Sequence, residues 1–227
     1  MSAQPWPLLE RRVVLATVFG ALLLSGLAPH DRMTWFMEVI WVVIGLPLVV
    51  ACWARFPLTR LLGWLLAVHA LILIYGGHYT YAETPLGEWV QQGFGLARNH
   101  YDRLGHFAQG FVPALLAREL LLRCTPLQRG GWLFYLVVAA ALSFSAFFEL
   151  IEWWAALIWG ADADAFLATQ GDVWDTQWAT CSWRCAVRCA HSSVLPACMI
   201  VNCLIDTPAE VTGRPTQTAF RSPRQIH

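Results

Sequence analysis

Three pairs of polar side chains stand at helical spacing in this chain. Asp102 and His106 are four apart, while Glu149 and Glu152, and Asp172 and Asp175, are each three apart. On a helix these spacings place both members of a pair on one face. A carboxylate beside an imidazole can act as general acid and base. Neighbouring carboxylates in a low dielectric cannot all ionise cheaply, so they bind a cation, share protons or pair with arginine. Helix bundles build metal sites from carboxylates and imidazoles that project inward from facing helices. All six residues are therefore candidates for catalysis, and Asp102, His106, Glu149 and Glu152 are candidate ligands for a divalent metal. The same groups would also serve as a proton relay, or as hydrogen-bonded pairs that only pin helices together. For Asp172 and Asp175 a helix cap competes with a site. Glu38 and His69, alone in apolar runs, read as packing polar groups. His78 and His100 read as surface or interface residues, and Tyr79 and Tyr81 as part of an aromatic belt.

The elements that must carry these pairs are membrane helices. The chain has 227 residues, of which 57% are hydrophobic and only 13% charged, against roughly 25% charged in soluble domains. Net charge is zero, so nothing points to nucleic acid, and the partner is the lipid bilayer; all 15 Lys+Arg residues are arginine. Apolar runs at 13–28, 34–53, 61–77, 102–122 and 132–159 predict an all-α, polytopic membrane bundle of five to six transmembrane helices. The first run has the outline of a signal peptide, but no small-x-small cleavage site follows it, so it reads as a retained helix.

Arginine placement predicts orientation. Arg11, Arg12, Arg55, Arg60, Arg118, Arg123 and Arg129 fall on one side of the runs, and Arg32, Arg98 and Arg103 on the other. The positive-inside rule puts the N-terminus in the cytoplasm of a bacterial inner membrane protein. The loop 78–98, the head of the Asp102 helix and the loop 160–177 then share the periplasmic side. A membrane enzyme with its site on that side is expected, metal-dependent or acting by acid–base chemistry. The alternatives are a proton-coupled carrier and a non-catalytic membrane partner protein. The sequence shows no inverted repeat of the kind carriers use.

Four stretches also carry a resemblance. His78-Tyr-Thr-Tyr-Ala-Glu-Thr-Pro-Leu-Gly87, the run Asn99–Phe111, Glu149-x-x-Glu152-Trp-Trp and Gln170-Gly-Asp-Val-Trp-Asp-Thr-Gln-Trp178 together resemble the YjdF-like inner membrane proteins of bacteria. The resemblance covers 1–178 and implies a multi-pass inner membrane protein without implying a reaction. In architecture alone the chain is also distantly similar to the VanZ-like membrane proteins.

The resemblance stops after Trp178, which divides the chain into a membrane domain, 1–178, and an aberrant segment, 179–227. Cys181, Cys185, Cys189 and His191 make a ladder that imitates a thiolate metal site. Permitted codons for this stretch, read in a shifted frame, instead yield the family's own ending and a stop. A frameshift near codon 179 is expected, with the tail 206–227 disordered by its composition. Sequencing the gene across codons 170–210 in independent isolates is expected to show the shift; an intact frame in all of them would overturn it.

Overall fold

The computed structural model describes residues 6–159. The side chains of Glu149 and Glu152, and all of 160–227, lie outside the described part. Asp172, Asp175 and the segment 179–227 therefore fall outside it as well.

The described chain is helical throughout: α1 (Leu8–Ser25), α2 (Arg32–Cys52), α3 (Arg60–Tyr79), a 3-10 turn (Tyr81–Glu83), α4 (Pro85–Phe94), α5 (Tyr101–Cys124) and α6 (Gly131–Trp159). It forms an all-α helix bundle. The centre is α3, which packs against α1, α2 and α5, while α6 packs on α5. Small residues on α5 permit close approach. Ala114 on α5 is fully buried beside Leu133, Val137 and Ala141 of α6.

Among the described residues three helical stretches are long and apolar enough to cross a membrane: α2, α3 and Gly131–Phe148 of α6. The other two long helices, α1 and α5, carry more charge and tie it to neighbours. Glu10 of α1 meets Arg60, at 2.9 Å, and the Trp64 indole. Glu119 of α5 accepts from the Thr59 hydroxyl at 2.9 Å and from Arg123 at 2.6 Å. Arg123 also donates to the Pro57 carbonyl at 2.8 Å and stacks on Phe56, while Arg11 stacks on Trp53. One end of the bundle thus holds a belt of arginine, carboxylate and aromatic side chains. The other end, where α3 stops and α2 and α5 begin, holds Asp102 and His106; it is the site end.

The stretch 78–98, expected as a loop, contains a helix. Pro85 is pre-set for a first helical turn and Gly95 ends α4 in the left-handed region at φ 64°, its N–H bonded to the Gln91 carbonyl. Leu86, Trp89 and Phe94 are exposed along α4, which suits a helix lying at a lipid interface.

The start of α2 is fixed by Asp31, whose carboxylate accepts from the Thr34 N–H at 2.7 Å. That bond holds the carboxyl below its ordinary range. A lowered carboxyl contributes fully above the ordinary carboxylate range, and its contribution is lost as pH falls through the lowered value. Asp31→Ala is expected to cost about 1 kcal/mol near neutral pH. In acid the gap between variant and parent in thermal unfolding should close; a gap of the same size at both pH values would show that the carboxylate is not what caps α2.

Candidate functional site

The site begins with how the chain leaves α3. Thr80 adopts φ 62°, a left-handed backbone that a β-branched residue rarely takes. The turn drives Tyr81 inward, where it is buried. Its ring lies between α3 and α5 because both present a glycine there. A Cβ on Gly76 would come within 2.6 Å of the ring, and one on Gly105 likewise within 2.6 Å. Tyr81 is therefore a wedge inside the bundle and not part of an interfacial belt, which corrects the sequence reading. The ring also packs on Tyr101, at 5.6 Å between centroids.

Asn99 fixes the head of α5. Its carboxamide accepts from the Tyr101 N–H at 2.9 Å and donates to the Thr84 carbonyl at 3.2 Å. It fits against Gly87, where a Cβ would collide with it. The Tyr101 hydroxyl donates to the Ile72 carbonyl at 3.0 Å and so ties α5 to α3.

This scaffold places the first predicted pair as the spacing implied. His106 Nε2 lies 3.3 Å from Asp102 Oδ1, and both side chains are mostly buried. Glu38 of α2 joins them. It is buried, hydrogen-bonds with the Tyr81 hydroxyl, and lies close enough to Asp102 and His106 to feel their charge. Burial lifts the Tyr81 phenol well above its ordinary value, so it keeps its proton. The Tyr81 O–H is thus a permanent donor to the carboxylate form of Glu38.

All four groups face one cavity of about 610 Å³. Gln109 and Pro113 continue the Asp102–His106 stripe along its wall, and His69 of α3 lines it deeper. The Nε2 of His69 has no hydrogen-bond partner among the described residues. Pro113 has no N–H, so the Gln109 carbonyl one turn back loses its helical partner beside the cavity. Trp41 of α2 closes the wall against Phe144 and Phe148 of α6, with centroids 4.6 and 6.2 Å away.

Glu38 and His69, read from the sequence as packing groups, thus line the same cavity as the predicted pair. Glu38 was visible as a lone carboxylate in an apolar run; its register against Asp102 was not, because it depends on how α2 crosses α3 at Gly77. A Cβ on Gly77 would stand 3.0 Å from the Glu38 Cβ. His78 is not a free surface residue: its Nδ1 lies 2.8 Å from the Ser25 carbonyl. Glu149 and Glu152 lie on α6, the helix that supplies Phe144 and Phe148 to the cavity. Among the described residues no three His, Cys, Asp or Glu side chains converge as a metal site would require.

A bundle with apolar spans and an inward-facing polar cluster at one end defines a helical membrane protein. The chain belongs to the family described as "Predicted membrane protein (DUF2238)", which matches residues 11–179. It is 53% identical over 156 residues to the "Inner membrane protein YjdF" of Escherichia coli (strain K12), covering 69% of this chain and 75% of that protein. No solved structure matches it.

The Tyr81 wedge makes a direct prediction. Gly105→Ala puts a methyl group into the ring, and overpacking of this kind costs about 1–3 kcal/mol. Gly20→Ala on α1, with nothing within 4 Å of the new Cβ, is expected to be neutral or to stabilise by up to about 1 kcal/mol. Thermal unfolding in detergent compares the two. Equal stability of both variants would show that Tyr81 does not occupy the gap.

Proposed function

We propose that this inner membrane protein is an enzyme that uses Asp102 and His106 for acid–base chemistry at the periplasmic face, with Glu38 and Tyr81 completing the site. The observation that carries this reading is the convergence of Asp102, His106, Glu38 and Tyr81 from three elements on one cavity. Ionisable groups inside a membrane bundle are costly, and those that line a cavity commonly mark function. His106 is the natural proton carrier, and Asp102 orients its imidazole and stabilises the imidazolium. Glu149, Glu152, Asp172 and Asp175 complete the proposed set. Should a divalent metal be part of the chemistry, Asp102 and His106 would supply two ligands and Glu149 and Glu152 the others.

The arginine belt supports the orientation, because it lies at the end opposite the site and the positive-inside rule assigns that end to the cytoplasm. The match to residues 11–179 supports a family domain that ends where the aberrant segment begins. A carrier is disfavoured by the cavity wall. Past Gln109 and His69 the described lining is apolar, and Trp6 packs on Gly63 at the far end, where a glycine Cβ would collide with the indole. A relay needs polar groups through that region.

Asp102→Asn separates catalysis from packing. The parent, reconstituted in vesicles of total bacterial membrane lipid, is expected to convert a component that mass spectrometry of the extract reveals. The variant is expected to lose at least about 100-fold of that rate, the usual worth of a general acid–base group, with thermal stability within about 1 kcal/mol of the parent. Loss of stability in the variant, with no conversion by the parent, would instead make the pair a packing device.

A further inference from the structure

The cavity has a polarity that the proposed chemistry does not use. Five of its hydrogen-bonding groups, Glu38, Tyr81, Asp102, His106 and Gln109, gather at the site end, and His69 lies deeper. From there the wall runs along α5 through Pro113 and Ala117 to Leu120. Eighteen residues separate Asp102 from Leu120, about 27 Å of helix at 1.5 Å per residue. That is close to the roughly 30 Å of a bilayer's hydrocarbon core. Val42, Gly45 and Val49 form the facing wall on α2. Beside Gly45 there is room for a side chain that the sequence does not supply: a Cβ there meets nothing within 4 Å. The far end is floored by Trp6, which is buried and packs at a tilt against Trp53.

A long apolar slot with one polar end is complementary to an amphiphile. We infer that the slot holds the hydrocarbon tail of a membrane lipid, with the lipid's polar group at Glu38, Asp102 and His106. Among the described residues the lining contains two carboxyl side chains and no arginine, so the polar group that fits is one that donates hydrogen bonds, an ammonium or a hydroxyl. Beyond His69 water is a poor occupant of the apolar stretch, because it finds too few partners there. The bilayer around α2 and α3 supplies tails at high local concentration. The inference rests on the proposed acid–base site only for what the bound polar group would undergo; occupancy of the slot stands apart from it.

The test measures occupancy without turnover. The full-length protein is placed in phosphatidylcholine vesicles containing a phosphatidylethanolamine whose tail carries a photoactivatable diazirine, and labelled residues are mapped by peptide mass spectrometry. In the parent, labelling is expected at the slot walls, around Val42, Val49 and Ala117, as well as at lipid-facing positions such as Leu24 and Leu61. Gly45→Trp fills the slot and is expected to reduce wall labelling several-fold while leaving Leu24 and Leu61 unchanged. Gly20→Trp on α1 is the control of equal bulk. If the Gly45→Trp protein is less stable than the parent, Gly45→Leu, with less bulk, carries the same comparison. Wall labelling that is absent in the parent, as when the chain's own C-terminal segment fills the slot, overturns the inference, as does wall labelling that both substitutions leave intact. Wall labelling that persists in a parent showing no lipid conversion would sustain the slot and overturn the enzyme reading alone.

Discussion

Tyr81 enters the bundle because α3 and α5 each present a glycine to its ring, and its hydroxyl hydrogen-bonds with Glu38, which lies close enough to the Asp102–His106 pair to feel its charge. A carboxylate on a membrane helix must find its partners inside the protein, since lipid offers none. Glu38 finds a phenol that burial keeps protonated. Asp102 finds His106 on its own helix. The left-handed backbone at Thr80, the Asn99 bond to Thr84 and the Tyr101 bond to Ile72 all hold this wedge in position. Strain at Thr80 is thus located where the polar groups are assembled, a common arrangement at functional sites.

The two ends of the bundle handle charge in different ways. At the arginine belt, charges meet in pairs and stack on rings, with Arg60 on Glu10, Arg123 on Glu119 and Phe56, and Arg11 on Trp53. These three basic groups each have a local counterpart, so the belt anchors helices to one another. At the site end the acidic groups face a shared cavity. The cavity survives because α2 meets α6 through the Trp41 cluster and not through close backbone packing. Bulky aromatic contacts hold helices apart, whereas the small residues of α5 bring α3 and α6 near.

Much of this was legible in the chain. Long apolar runs and low charge specify membrane helices, and a four-residue spacing puts Asp102 and His106 together because helical geometry is local. What escaped the sequence depends on tertiary register. Glu38 and His69 each look like isolated polar residues in one dimension. Glu38 joins the site through the crossing at Gly77 and His69 through the central place of α3, which periodicity does not encode. Tyr81 looked interfacial because it sits in a polar loop beside other aromatic residues; the turn at Thr80 reverses that. The short helix α4 was hidden by its length and by its glycines, although Pro85 and Gly95 mark both its ends. Glu149, Glu152, Asp172 and Asp175 remain expectations from spacing, since their side chains lie outside the described part.

Trp6 on Gly63 closes the far end of the cavity. A slot open at both ends would accept chains of any length, but a blind one works as a ruler. A tail shorter than the slot leaves unfilled apolar volume, and one that is longer either folds back or lifts its polar group away from His106. If a lipid tail occupies the slot as proposed, the N-terminal segment that brings Trp6 to α3 would select among lipids by chain length, from the end of the bundle opposite Asp102 and His106.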